Sequence, residues 1–167
     1  TRINEADLPS ANEKLNILQM CVERLADAGY VLIGMDHFAR PDDELAIALS
    51  EQTLQRNFQG YSTFADTNML AFGVSSIGFV GNSYYQSAKD LDSYYNFLNA
   101  DQLPILRGLL LSPDDVLRRE IIQQIMCQFE LNYAAVAEKY QLDFASYFAA
   151  ELAELPELAE IGLITLT

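Results

Sequence analysis

The residues best suited to acid-base chemistry lie together in one short stretch of the sequence. An apolar run, Tyr30 to Gly34, breaks abruptly into Met35-Asp36-His37-Phe38. Ligands of α/β proteins bind at the carboxyl ends of buried parallel strands, so we expect a site at this break. His37 is the only histidine of the chain. It could bond a substrate carboxylate or relay a proton, or it could be a structural histidine that donates to a backbone carbonyl.

Two arginines near this break are the best candidates for binding an anionic ligand. A guanidinium meets a carboxylate with two parallel hydrogen bonds, and Arg40 and Arg56 are close in sequence to the polar stretch. Arg118 and Arg119 are assigned instead to a solvated helix face or a domain contact. Four tyrosines could flank a flat ring system, which is a weak signal: Tyr84, Tyr85, Tyr94 and Tyr95.

The overall charge bounds the kinds of partner. The chain carries 24 acidic against 10 basic residues, a net charge of −14. Such a field repels nucleic acid and anionic membrane surfaces, so neither is predicted as a partner. It also repels an anionic small molecule, which would therefore need locally placed arginines. With no signal peptide and no apolar run long enough to span a bilayer, a cytoplasmic location is predicted.

Metal, nucleophile and phosphate motifs are not apparent in the sequence. Cys21 and Cys127 are the only cysteines and are far apart, each within a helical apolar pattern, so both are expected to be buried free thiols. No patterned nucleophile accompanies the single histidine. The stretch Gly73 to Gly78 lacks the lysine and the spacing of a phosphate-binding loop. A hydrolase or nucleotidase is thus poorly supported.

The first half of the chain is predicted to begin as a helix followed by a strand. Ser10-Ala11-Asn12-Glu13 has the form of a capping box, and Gly29 can end the helix. The uniformly apolar run from Tyr30 to Gly34 suits a parallel strand covered on both faces. Pro41 is expected at the first position of the next helix. The segment Met69 to Val80, which contains Gly73 and Gly78, is expected to form a strand pair.

The second half is predicted to be mostly helical. Asp90 to Asn99 is expected to be a helix, Leu103 to Leu111 a short strand, and Ser112-Pro113-Asp114-Asp115 a strong helix start. That helix is expected to turn Leu117, Ile121, Ile125 and Phe129 inward and Arg118, Arg119 and Glu120 outward. Two further helices, near 133–140 and 144–154, precede a final apolar strand. Both ends of the chain are expected to be cut.

Three blocks of the sequence, in this order, resemble one known family. They are Gly34 to Pro41, Arg56-Asn57-Phe58-Gln59-Gly60-Tyr61, and Phe72 to Gly78. They are similar to the oxygen-independent coproporphyrinogen III oxidases, which are radical S-adenosylmethionine (SAM) enzymes. Leu106-Arg107-Gly108 and Phe144 to Phe148 extend the resemblance. The family's three-cysteine motif is absent, so the chain resembles the carboxyl-terminal part of these enzymes.

The resemblance implies an α/β plus α fold in two domains. Residues 1–88 would be the final part of a partial, TIM-like β/α radical SAM barrel with extra strands. Residues 89–167 would be a mostly helical, winged-helix-like carboxyl-terminal domain, incomplete at its end.

The resemblance also implies a function in porphyrin and haem biosynthesis. The full-length oxidoreductase would convert coproporphyrinogen III to protoporphyrinogen IX by oxidative decarboxylation of two propionates, using SAM and a 4Fe-4S cluster. The cluster ligands are absent from this chain, which alone is expected to be inactive and to carry no catalytic or metal-binding residue. The full-length protein is expected to be a monomer served by an electron donor protein.

Candidate site residues follow from the resemblance together with the chemistry given above. Phe58, Gln59 and Ile77 would line the SAM region; without the resemblance, Ile77 is expected to be a core residue. His37, Arg40 and Arg56 would bind the porphyrinogen. Two alternatives remain open: a radical SAM relative that traffics haem, and a non-catalytic interaction module built on residues 89–167.

Overall fold

The computed structural model describes residues 3–4, 7–65 and 67–167. The described part of the chain contains three antiparallel β units, two of them hairpins, and helices at both ends. In chain order the elements are α1 (Ala11–Asp27), β1 (Val31–Gly34), β2 (His37–Ala39), α2 (Glu44–Ser50), β3 (Gln55–Asn57), β4 (Gly60–Ser62), β5 (Ile77–Val80), β6 (Ser83–Ser87), α3 (Leu91–Asn99), β7 (Ile105–Leu110), α4 (Pro113–Gln128), α5 (Tyr133–Tyr140), α6 (Phe144–Tyr147) and α7 (Ala149–Glu160).

Helix α1 begins with the capping box that the sequence predicts. The Ser10 hydroxyl accepts from the Glu13 amide at 3.3 Å, and the Glu13 carboxylate accepts from the Ser10 amide at 2.8 Å. The helix ends at Asp27, and Gly29 follows with a φ of +84°. No residue of α1 is fully buried, and Leu15 is 64% exposed. The apolar face of α1 is therefore largely uncovered by the described chain.

The strand after α1 is not the parallel strand that was expected. Strand β1 pairs antiparallel with β2, with Val31 opposite Ala39. Met35, at a φ of 53°, lies in the tight turn between them. Only Ile33 and Gly34 of β1 are buried, and Leu32 is 42% exposed. An apolar run reports hydrophobicity but carries no information about the strand that pairs with it, and here the chain reverses on itself.

Helix α2 begins later than predicted. The Asp43 carboxylate caps it by accepting from the Leu45 amide at 2.9 Å, so Pro41 lies outside the helix and not at its first position. The chain then forms the β3–β4 hairpin, with Arg56 opposite Tyr61.

Strands β5, β6 and β7 form one antiparallel sheet. Gly78 of β5 lies opposite Tyr85 of β6, and a Cβ atom at Gly78 would lie 2.1 Å from the tyrosine ring. The strand pair expected within Met69 to Val80 is therefore wrong: β5 is the one strand in that range and pairs with β6 beyond it, while Met69 forms only an isolated bridge to Phe79. Because β7 pairs with β6, the sheet crosses the predicted domain boundary between residues 88 and 89. That division of the chain remains a prediction.

Helix α4 starts as predicted, but the residues that it buries differ from those expected. Ser112 and Asp115 form a reciprocal capping box, and Pro113 is the first helical residue. Leu117 is buried, whereas Ile125 and Phe129, expected inside, are 47% and 67% exposed. The segment Arg118 to Glu120, expected outside, is half-buried. The cause is that α4 packs against two separate hydrophobic clusters and has no single inward face.

The carboxyl-terminal helices are α5, α6 and α7, and no strand follows them in the described residues. After Glu160 the chain turns at Gly162, and the Leu163 amide donates to the Leu158 carbonyl at 2.9 Å. The expected final strand is therefore wrong. Without it, the winged-helix description of this region is not confirmed.

Two clusters of buried residues form the core. The first joins the β1–β2 hairpin and α2 to α4 and contains Ile33, Ala39, Ala46, Ala48, Leu54 and Cys127. The second joins α4 to the helices that follow it and contains Leu117, Val136, Phe144 and Phe148. Helix α4 contributes to both clusters.

Candidate ligand-binding site

A cavity of about 1050 Å³ lies between the β3–β4 hairpin, the β5–β6 strands and α4. Its size is at the upper end of the usual range for small-molecule sites. The hairpin contributes Arg56 and Phe58, and the sheet contributes Phe79 and Tyr84. The residues contributed by α4 include Arg119, Ile122 and Met126.

Arg56 is held in this wall by its backbone. The Gln123 side chain accepts from the Arg56 amide at 3.1 Å and donates to its carbonyl oxygen. The Arg56 guanidinium lies over the Tyr61 ring, 4.7 Å from its centroid. One guanidinium nitrogen, Nη1, is buried and has no hydrogen-bond partner in the described chain. Buried polar groups are normally bonded, so this nitrogen, which the surrounding protein covers, is an exception.

Arg119 is the second arginine of the cavity that forms no ion pair in the described residues. Against the effect of burial, its charge acts with Lys139 and Tyr140 to lower the pKa of Glu120. The Arg119 guanidinium lies over the Phe79 ring, 4.2 Å from the centroid. No ion pair within the described ranges involves Arg119 or Arg56. Sequence analysis assigned Arg119 to a solvated face or domain contact. Spacing could have revealed its position, because Arg119, Ile122, Gln123 and Met126 follow the i, i+3, i+4, i+7 pattern of one helix face.

Arg118 also lines the cavity, but carboxylates already neutralise it. It donates to Asp114 at 3.0 Å and to Glu151 at 2.6 Å. The hydrogen bond from Tyr147, followed by that from Arg118, lowers the pKa of Asp114. The hydrogen bond from Arg118 likewise lowers the pKa of Glu151. Arg118 therefore ties α4 to α7, and Tyr147 of α6 reaches the same network through Asp114. All three helices lie within residues 89–167, so this is not a contact between the two predicted domains.

The acidic residue of the cavity lining is also engaged. Asp115 accepts from the Ser112 hydroxyl at 2.7 Å and from the Ser112 amide at 2.9 Å, and these bonds lower its pKa. The carboxylate is therefore committed to the helix cap. Arg56 and Arg119 remain as cationic groups available to a ligand in an otherwise largely apolar cavity.

The residues expected to line a SAM region do not all meet at this cavity. Phe58 lines it and packs edge-on against Tyr84, with ring centroids 5.5 Å apart. Gln59 lies in the hairpin turn, where its amide donates to the Asn57 side chain at 2.7 Å. Ile77 begins β5 and is half-buried. Neither Gln59 nor Ile77 is among the described residues of the cavity lining.

His37 and Arg40 also lie outside the cavity lining. His37 Nδ1 is 2.9 Å from an Asp36 carboxylate oxygen, and Arg40 Nε donates to Asp42 at 3.2 Å. Arg40 is well exposed and His37 is partly so. The distances give no support to a backbone carbonyl as the partner of His37 Nδ1.

Tyr61, which sequence analysis did not single out, connects His37 to Arg56. Its ring packs edge-on against His37 with centroids 5.3 Å apart, and the Arg56 guanidinium lies over the same ring. The Tyr61 hydroxyl donates to the Met126 carbonyl at 3.3 Å. Gly34 makes this possible, because a Cβ atom there would lie 2.1 Å from the hydroxyl.

An iron–sulfur cluster does not fit the residues of this chain. Across residues 3–4, 7–65 and 67–167, no three histidine, cysteine, aspartate or glutamate side chains are grouped so that they could hold a metal. Cys127 is buried, as expected, and burial raises the pKa of its thiol, whereas Cys21 is half-buried. Cluster binding requires thiolates, which burial disfavours.

No helix within the described ranges has the length and apolar character needed to cross a membrane.

The chain is similar to a known domain family and to named enzymes. Residues 111–167 match the family model described as the HemN C-terminal domain. Proteins named oxygen-independent coproporphyrinogen III oxidase are 48% identical over 166 residues in Salmonella typhimurium and 48% identical over 165 residues in Pseudomonas aeruginosa. Each alignment covers 99% of this chain and 36% of the relative. The chain thus spans just over a third of the length of these relatives.

A solved structure supports the same relationship. It is described as "Coproporphyrinogen III oxidase (HemN) from Escherichia coli is a Radical SAM enzyme", and it matches with a TM-score of 0.94 and 46% identity over 99% of this chain and 38% of that chain. The chain therefore shares the mixed α/β fold of part of a radical SAM enzyme. Within that class, it is similar to the carboxyl-terminal part of the oxygen-independent coproporphyrinogen III oxidases.

Proposed function

We propose that the full-length protein containing this chain oxidises coproporphyrinogen III to protoporphyrinogen IX by decarboxylating two propionates. The observation that carries the proposal is the match along 99% of the chain, at 48% identity, to enzymes named for this substrate. The cavity lined by Arg56 and several aromatic rings supports it, since the substrate combines a large apolar body with carboxylates.

The proposed cofactors are SAM and a 4Fe-4S cluster held by cysteines outside this chain. Together they would supply the radical that removes hydrogen from the propionate chain. This chain would bind and enclose the ligands. We propose that Phe58, Gln59 and Ile77 contact SAM, and that His37, Arg40 and Arg56 contact the porphyrinogen. The position of Arg56 and Phe58 in the cavity lining supports their part of this assignment.

The proposed place of residues 1–88 is at the end of a partial β/α barrel, followed by the mostly helical residues 89–167. The uncovered apolar face of α1, with Leu15 and Leu18 exposed, supports packing against other barrel elements of the full-length protein. We also propose a cytoplasmic, monomeric enzyme that receives electrons from a donor protein.

Anaerobic turnover by the full-length protein tests the proposal. With its cluster reconstituted, the protein should consume SAM and coproporphyrinogen III and release protoporphyrinogen IX, which chromatography detects after oxidation. Haem binding without turnover would instead identify a haem-trafficking relative. The 167-residue chain serves as the matched control and should form no product. Cluster absorbance and SAM cleavage by that chain alone would contradict the assignment of the cluster ligands to another region.

A further inference from the structure

We propose that Arg119 is a second carboxylate-binding residue of the cavity and acts with Arg56. Together they would bind two propionates of one tetrapyrrole, and the 167-residue chain would bind that ligand without the rest of the enzyme. Naming a tetrapyrrole rests on the proposed function. The inference that the cavity takes an apolar ligand bearing at least two carboxylates rests on the structure.

The two arginines approach the cavity from different elements. Arg56 comes from β3 and Arg119 from α4, so two walls of the cavity each supply one cationic group. Arg56 Nη1 is buried without a hydrogen-bond partner, and Arg119 has no ion-pair partner in the described part of the chain. A guanidinium without an ion pair gains more from an added carboxylate than one that already has two carboxylate partners, as Arg118 has.

The remaining wall suits the apolar body of such a ligand. Tyr84, Ile122 and Met126 line the cavity together with the two arginines. Aromatic faces and a methionine thioether pack well against a large ring system. The volume of about 1050 Å³ is ample for a ligand larger than a single nucleotide base.

The net charge of the chain makes local arginines necessary for binding a polycarboxylate. With a net charge of −14, the protein as a whole repels a polycarboxylate. Binding of such a ligand must therefore depend on local cations. Arg118, the other arginine of the lining, already has two carboxylate partners, Asp114 and Glu151. Replacing either Arg56 or Arg119 should consequently reduce the affinity for the ligand strongly.

The experiment titrates the 167-residue chain with coproporphyrin III, the stable oxidised form of the substrate, and follows porphyrin fluorescence. Saturable binding is expected, and Arg119→Gln should weaken it by about tenfold or more, as loss of one charged hydrogen-bonding partner does. Arg119→Lys keeps the positive charge but cannot form two parallel hydrogen bonds to a carboxylate, so its affinity should lie between those of the parent chain and Arg119→Gln. Arg107→Gln is the control, since Arg107 is an exposed arginine of β7 outside the cavity lining and should leave affinity unchanged.

A second measurement uses only the unaltered chain and so does not depend on the folding of a variant. The tetramethyl ester of coproporphyrin III keeps the ring but removes the charges, and it should bind about tenfold more weakly or worse. Equal affinity for acid and ester, equal effects of Arg119→Gln and Arg107→Gln, or no saturable binding would each overturn the inference. These binding results do not measure turnover by the full-length protein. The proposed function is tested by turnover alone, so either proposal can fail without the other.

Discussion

Gln123 of α4 clasps the backbone of Arg56 in β3 through both ends of its side-chain amide. The side chain accepts from the Arg56 amide at 3.1 Å and donates to the Arg56 carbonyl oxygen. The pairing imitates one rung of a β-ladder and joins residues 67 positions apart in sequence. These two hydrogen bonds hold β3, which carries Arg56, against α4, which carries Arg119. They therefore help to fix the relative positions of the two arginines.

Gln123→Ala should destabilise the chain because it leaves two part-buried backbone groups of Arg56 without their partner. The expected loss is about 2 kcal/mol in the free energy of unfolding, measured by urea denaturation. Gln124→Ala is the matched control on the same helix, because no hydrogen bond of the Gln124 side chain is seen in the described part of the chain. Equal losses for the two variants would show that the two hydrogen bonds between Gln123 and the Arg56 backbone contribute nothing to stability.

Gly78→Ala should be costly even though the glycine lies in a regular strand. An added Cβ atom would sit 2.1 Å from the Tyr85 ring, whose hydroxyl accepts from the Ala71 amide at 3.0 Å. Displacing the ring should cost about 1 to 3 kcal/mol of stability in thermal or urea unfolding. At Gly108 the closest atom would be 3.3 Å away, so Gly108→Ala provides the comparison. A smaller effect at Gly78 than at Gly108 would contradict the packing seen here.

Features encoded by local chemistry could be predicted from the sequence. The capping boxes at Ser10 and Ser112 need only residues three positions apart, so their helices were predicted with the correct starts. Arg56, chosen from the sequence for its guanidinium, does line the cavity, while its contact with an anion stays a prediction.

Features that depend on distant partners could not be predicted in the same way. The apolar run before Met35 gave no sign of its antiparallel partner. The alternating carboxyl-terminal residues imitate a strand, but Leu163 and Leu166 line a groove against α4 and α7. Arg119 was missed because a single inward face was assumed for α4. That helix lies between two clusters, with Leu117 in one and Cys127 in the other.

The network around Arg118 should make part of the stability depend on pH. The pKa values of Asp114 and Glu151 are lowered in the folded chain, from ordinary values of 3.8 and 4.5. Their stabilising effect is therefore fully present above those ordinary values and is lost as the pH falls through the lowered folded values. Asp114→Asn should be less stable than the parent chain at pH 7, and the gap should close in strong acid.

The control for this pH effect is Asp92→Asn. Asp92 also lies in the first turn of a helix, α3, but forms no ion pair in the described residues. Stability curves measured by denaturation at several pH values should separate the two variants near neutrality. A gap between Asp114→Asn and the parent chain that persists unchanged at pH 2 would refute the linkage.

The two cysteines should differ in reactivity towards a thiol reagent. Cys127 is buried, and burial raises the pKa of its thiol, while Cys21 on α1 is partly accessible. In the native 167-residue chain, a chromogenic disulfide reagent should therefore modify one thiol quickly and the other only after unfolding. Cys21→Ser should abolish the fast phase. A fast phase that survives this change would mean that Cys127 is accessible.

The most direct test of the account is the kinetics of full-length Arg119→Gln with coproporphyrinogen III. If Arg119 binds a propionate, the KM for the porphyrinogen should rise by about tenfold or more, while the cluster absorbance and the cleavage of SAM without porphyrinogen stay at the level of the parent enzyme. A KM equal to that of the parent enzyme and of Arg107→Gln would show that this cavity does not hold the substrate.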